Sequence, residues 1–291
     1  MLLKKRAFIF IILAGALWGS IGLFIHVMIP YGLSPAQMTC VVSFVAASVM
    51  FLYFLCCRRE LFKITIRELL LFLGSGAALF FTATCNNYSL QLTSVSTAVV
   101  LMYTAPVMVM AYSVAFLGEK LTGTKLLALV SMIAGCCLVT GVLRGFSFNL
   151  YGILMGLASG IAFSAYNIFT KIQMKNKCNP VSATFYCFVF MFVISLCLSN
   201  PGEVVQIAIH KPGLLLIAIV CGVCTRILPY VLYAIALKVL PVGTASALAV
   251  VEPMTATILS VIFLHETLHL DSILGIILVI GSVLLLSRAE R

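Results

Sequence analysis

The sequence predicts an all-α protein, a polytopic membrane bundle of ten transmembrane helices built from two inverted five-helix repeats. Three observations lead there. Of 291 residues, 63% are hydrophobic and only 9% charged, against about 25% charged in a soluble globule. Apolar runs of about 20 residues, each long enough to cross a bilayer, recur ten times with very short connections and leave no stretch for a separate soluble domain. A shift of 147 residues aligns residues 86–140 with 233–287 without a gap, and 15 of the 55 pairs are identical.

The formal net charge of +10 would suggest a nucleic-acid partner if it were gathered on one face of a folded domain. Here it marks topology, and no nucleic acid is expected. With the N-terminus placed inside, fifteen Lys and Arg residues, from Lys4, Lys5 and Arg6 through Arg58, Arg59 and Lys120 to Arg288 and Arg291, fall on the inner side. Only Arg144 and Lys211 fall on the outer side. This bias puts both termini in the cytoplasm, and the cytoplasmic (inner) membrane is the expected location. The eleven cysteines lie mostly in spans or inner connections and read as small apolar packers, not as a disulfide framework. The basic start and Ala14-Gly15-Ala16 have the outline of a signal peptide. The apolar run before that point is too short, and it continues to Met28, so an uncleaved first span is expected.

Span 1 (7–28) carries Gly15, Gly19 and Gly22, which let a neighbouring backbone approach closely. Trp18, the single tryptophan, lies in mid-span and either fills core volume or walls a substrate cavity. Span 2 (36–56) follows a turn marked by Pro30, Gly32 and Pro35. Span 3 (69–90) turns polar towards its outer end with Thr82, Thr84, Asn86, Asn87, Tyr88 and Gln91, which suits interhelical hydrogen bonds and a cavity lining equally well. Span 4 (95–117) contains Tyr103 and Pro106. Proline has no amide proton, so the Met102 carbonyl loses its partner and a kink is expected there. Span 5 (124–143) closes the first half.

In span 6 (150–171), Gly152, Gly156 and Gly160 at four-residue spacing form a smooth packing face, followed by Ser164, Tyr166 and Asn167. Span 7 (181–199) is nearly featureless and reads as peripheral. Span 8 (214–237) puts Arg226, Tyr230 and Tyr233 on one face. Span 9 (242–264) carries Glu252 and Pro253, and span 10 (270–287) ends at a basic tail.

The repeat pairs Pro106 with Pro253, Thr97-Ala98 with Thr244-Ala245, and Glu119-Lys120-Leu121 with Glu266-Thr267-Leu268. Five spans per repeat is an odd number, so halves 1–143 and 144–291 must insert with opposite topology. Inverted repeats recur in secondary transporters that work by alternating access around a site near the midplane. The ten-span duplicated layout, Trp18-Gly19 in span 1, and the proline in spans 4 and 9 followed by a glutamate at the helix end resemble the EamA-like family of the drug/metabolite transporter superfamily. That resemblance covers nearly the whole chain. It implies a ten-helix exporter or exchanger of small metabolites, amino acids being a frequent class, with a central cavity lined by both halves.

Charged residues in mid-membrane are normally paired or face a water-filled cavity. Arg226 and Glu252 each lie about ten residues from the inner ends of their spans, so both are buried to ~15–17 Å. They either lock two helices as an ion pair or border the cavity, with Arg226 clamping a substrate carboxylate and Glu252 a candidate for proton coupling. The candidate cavity residues are Trp18, Asn87, Tyr103, Tyr166, Asn167, Arg226, Tyr230 and Glu252, with Pro106 and Pro253 as candidate gates. Nucleosides, organic acids and drugs could use parts of the same lining. The expected surroundings are a lipid bilayer and a small-molecule substrate, with protons as a candidate coupling ion; a monomer is compatible with all of this.

No phosphate-binding loop, nucleophile elbow or catalytic carboxylate pair is present, so no cofactor and no enzymatic activity are expected. The alternative from another class is a membrane-embedded metalloenzyme using His265, Glu266 and His269. That motif needs both histidines on one face of a continuous helix, but it falls at the connection between spans 9 and 10. Cys221 and Cys224 form a C-x-x-C inside the apolar span 8, where no redox or metal role is expected.

Overall fold

In the computed structural model, residues 2–142, 149–197, 199–200, 202–203, 205–206, 213–265, 267 and 269–289 are described. Arg144, Lys211, Glu266 and Arg291 lie outside them. Among the described residues every regular element is a helix, with no strand. The ten segments are α1 (Leu3–Tyr31), α2 (Pro35–Cys57), α3 (Ile66–Leu92), α4 (Val95–Phe116), α5 (Gly123–Thr140), α6 (Leu150–Lys175), α7 (Pro180–Ser195), α8 (Gly213–Leu237), α9 (Val242–Leu264) and α10 (Leu270–Ala289). Nine of them are long and apolar enough to cross a membrane, and α7 is a shorter apolar helix. The expected all-α membrane bundle is therefore observed, with boundaries close to those set by apolar length.

Local chemistry fixes the helix starts. Ser34 and Thr65 form capping boxes with Gln37 and Glu68 at the starts of α2 and α3. Thr122, Asn149 and Asn179 accept from first-turn amides of α5, α6 and α7. Each cap satisfies an amide that the helix itself leaves unpaired, a requirement made stricter near lipid, where water does not compete.

Hydrogen bonds between connections define the two ends of the bundle. At one end, Ser182 Oγ and Tyr186 OH of α7 donate to Leu61 O and Phe62 O between α2 and α3. Lys171 Nζ of α6 reaches Leu237 O and Leu240 O between α8 and α9. At the other end, Ser96 Oγ of α4 donates to Thr140 O, and Ser272 Oγ of α10 to Val139 O. The first end, which also holds the start of α1 and the end of α10, is called the terminal end below.

The helix contacts come in matched pairs. α3 packs on α6 and α1 on α8; α4 packs on α6 and α1 on α9; α2 meets α7, and α5 meets α10. Between α5 and α10 the approach is backbone to backbone: a Cβ on Gly275 would stand 2.6 Å from Gly135 O. The expected peripheral position of span 7 is corrected. Phe188 and Met191 of α7 are fully buried, and the Phe188 ring meets Tyr230 at 5.2 Å. Uniform apolarity conceals which side of a membrane helix faces protein, because lipid and core select the same residues.

Candidate functional site

Three interruptions of regular helix converge at mid-depth. In α4 the helical stretch Val95–Met102 ends, Tyr103 and Thr104 turn, and Ala105–Phe116 resumes. The cause is Pro106, which cannot donate to the Met102 carbonyl. α9 repeats this: Val242–Leu248, a turn at Ala249 and Val250, then Val251–Leu264 with Pro253 in its first turn. Both helices are thus interrupted just before the prolines where kinks are expected. Glu252 falls in the first turn of the second α9 stretch, where the helix dipole favours a carboxylate.

The third interruption is in α8, where Gly222–Ile227 is a π-helical turn holding Arg226. Pro229 has no N–H for the Thr225 carbonyl, so a continuous α-ladder is not available, and the Leu228 N–H bonds back to Val223 O. Such widened turns are frequent where a helix must aim a functional side chain.

Glycines let neighbouring helices close on these breaks. A Cβ on Gly19 would lie 2.7 Å from Glu252 O and 2.8 Å from Thr255 Cβ, while one on Gly160 would lie 2.7 Å from Thr104 Oγ1. Trp18, next to Gly19, is carried against α8 and meets Tyr230 edge to face at 5.0 Å and Tyr233 at 5.5 Å.

These elements enclose a cavity of about 470 Å³ whose wall includes Trp18, Asn87, Arg226, Tyr230 and Glu252. A broader space of about 990 Å³ shares Trp18 and Glu252 and adds Tyr103 and Pro253. The smaller cavity runs to Ile29, Leu33 and Pro35 and includes no residue of the terminal-end connections, so it opens away from the termini. Arg226 and Glu252 make no direct ion pair. Among the described residues, ion pairs within 4.0 Å are Arg58–Glu60 and Lys125–Glu119. The guanidinium and the carboxyl instead face one cavity within electrostatic reach of each other, and Glu252 is also in reach of Tyr103.

Two expected lining residues sit beneath the wall. Tyr166 is buried under Tyr230, ring to ring at 5.5 Å. Asn167 uses its amide on Phe163 O and accepts from Tyr233 OH. Conversely, Thr82 and Asn86 of the polar cluster in span 3 line the cavity, as do Met102, Phe163 and Thr225, which no sequence feature marked. The four-residue spacing of Thr82 and Asn86 on α3 is the sequence feature that pairs them on one face. Four buried polar atoms at these cavities make no hydrogen bond: Trp18 Nε1, Asn86 Oδ1, Tyr103 OH and Arg226 Nε. Each such atom costs about 1–3 kcal/mol when left unpaired, so the site offers two N–H donors, one hydroxyl and one carbonyl acceptor around a single carboxyl.

The metalloenzyme alternative is not supported. His265 adopts a left-handed conformation, φ +55°, which ends α9, so His265 and His269 do not share a helical face. Glu266 lies outside the described residues, and no group of candidate metal ligands occurs among those described. Cys221 and Cys224 are free thiols.

Residues 5–141 and 150–288 each match the EamA-like transporter family. An uncharacterized transporter of Bacillus subtilis, YwfM, is 28% identical over 97% of this chain and 94% of its own length. An uncharacterized transporter of Archaeoglobus fulgidus is 30% identical over 73% of this chain and 75% of its own. A solved protein structure shares the fold with a TM-score of 0.76 and 17% identity, covering 97% of this chain and 98% of that one.

Proposed function

The chain belongs to the EamA-like transporter family, and from that premise we propose that it moves an amino acid or a closely related metabolite across the cytoplasmic membrane by alternating access, as an exporter or exchanger. It is a multi-pass membrane transporter of small solutes and not an enzyme. The observation that carries the substrate class is one cavity holding a single guanidinium, Arg226, and a single carboxyl, Glu252, between the aromatic walls Trp18 and Tyr230. A zwitterion satisfies both charges at once. Its carboxylate can take a charge-assisted bond from Arg226, and its ammonium can approach Glu252.

Halves 1–143 and 144–291 act in this reading as two inverted repeats. The support is the matched helix contacts and the paired breaks at Pro106 and Pro253, which serve as the flexing points. The basic terminal end faces the cytoplasm, in keeping with the excess of Lys and Arg, so the cavity as seen is open to the outside. Counterflow into proteoliposomes tests the proposal, with L-amino acids, nucleosides and organic acids compared side by side. Accumulation of an amino acid supports it, whereas accumulation only of nucleosides or organic acids overturns the substrate class.

A further inference from the structure

The most densely bonded charge in the described protein is far from the cavity. Glu119, in the connection between α4 and α5, accepts at Oε1 from Lys125 Nζ at 3.3 Å and from Thr244 Oγ1 at 3.2 Å. At Oε2 it accepts from Ser113 Oγ and from the Gly243 backbone N–H at 3.1 Å. The Glu119 and Lys125 side chains are only 4% and 7% exposed. Ser113, Glu119 and Lys125 belong to the first half, while Gly243 and Thr244 begin α9 in the second.

Pro241 at the start of α9 provides no side-chain cap, and a carboxylate from the other half satisfies one amide that the helix leaves open, the Gly243 N–H. The contact is tight as well as polar: a Cβ on Gly243 would stand 2.7 Å from Met110 Sδ and 2.9 Å from Glu119 Oε2. Lys171 grips the same α8–α9 connection through Leu237 O and Leu240 O, both at 2.7 Å. α8 and α9 are the helices that carry Arg226 and Glu252. Their shared terminal-end connection is therefore held by a cation on two carbonyls and an anion on one amide and one hydroxyl.

We infer that Glu119 is a positioning residue of the transport cycle, whose carboxylate holds the start of α9 against the α4–α5 connection and keeps the terminal end shut while the cavity is open at the other end. Opening the terminal end requires Glu119 to release the Gly243 N–H and the Thr244 hydroxyl, with Lys125 and Ser113 retaining the carboxylate inside its own half. The inference rests on the alternating-access reading.

The test uses cysteines at the two ends of the full-length protein in proteoliposomes: Ile25→Cys at the open mouth and Ser246→Cys, a near-isosteric change at a buried site beside the latch. Alkylation at each site is followed by peptide mass spectrometry with and without a saturating mixture of L-amino acids. Thr244→Val removes a bond to α9 and leaves the ion pair intact. Glu119→Leu combined with Lys125→Met removes both acceptor oxygens of the latch without stranding a buried charge. Both should raise labelling at Ser246→Cys and lower it at Ile25→Cys, by roughly fivefold or more for the double substitution, the lower range of ordinary conformational coupling. If the parent protein shows no reciprocal response to the amino acids, the substrate class fails, and the labelling of the two variants without substrate then decides this inference by itself. If the parent responds reciprocally but both variants label as it does, Glu119 is a structural cap only and the assignment is overturned.

Discussion

Gly19 of α1 and Glu252 of α9 touch through backbone alone: a Cβ added to Gly19 would stand 2.7 Å from the Glu252 carbonyl oxygen. Helix α1 thereby presses directly on the turn that presents the Glu252 carboxyl. Gly19→Ala must push α1 and α9 apart, at a cost of about 1–3 kcal/mol typical of overpacking. Gly22→Ala is the matched control, since a Cβ there meets nothing within 4 Å. Thermal unfolding in detergent should show a clear loss for Gly19→Ala and none for Gly22→Ala. Equal behaviour of the two would mean that the helix contact is looser than described.

Arg226 lines the cavity with its Nε unbonded and without a direct ion pair to Glu252. A solute bound at 100 times its Kd stabilises the folded state by about 2.7 kcal/mol. An amino acid that raises the melting temperature of the parent protein should give no such rise with Arg226→Ala. A hit that stabilises both proteins equally would remove Arg226 from the substrate site.

Asn86 carries a buried acceptor with no partner. Asn86→Leu removes that orphan, so the empty protein should be as stable as the parent or more so. Transport should lose about 1–3 kcal/mol of binding, the usual cost of an unmatched polar group, read as a rise in KM of about tenfold or more. Unchanged KM would mean that Asn86 does not touch the solute.

Glu252 is the carboxyl on the cavity wall and the candidate for proton coupling. Glu252→Gln keeps the shape and removes the titration. Uptake driven by a pH gradient should then become insensitive to that gradient while exchange of substrate for substrate persists. Gradient-driven uptake that survives the substitution would exclude Glu252 from coupling.

Much of the bundle was legible in the chain, because in lipid a backbone must satisfy its own hydrogen bonds and so must form helices of bilayer length. Ten apolar runs of that length leave few other arrangements, and the breaks at Pro106 and Pro253 follow from a missing amide proton whatever surrounds it. The site was legible in part. Trp18, Arg226, Tyr230 and Glu252 stand out as rare types in an apolar chain, and they do meet. Tyr166 and Asn167 are equally rare in kind yet face inward beneath the wall, and Asn86 had no more claim than its neighbour Asn87. The π-turn around Arg226 was announced only by Pro229, three residues on.

By itself the sequence determined the number, length and breaks of the helices and the residues costly enough to need a reason for being in a membrane. Those are properties of single segments, set by apolar length and by proline. Only the tertiary structure decided which faces meet: that Arg226 and Glu252 share a cavity without pairing, that α7 is core, and that Glu119 holds the start of α9. In a membrane the apolar face of a helix is equally at home against lipid or protein, so hydrophobicity cannot choose its side. Close glycine contacts and buried hydrogen bonds between distant segments make that choice.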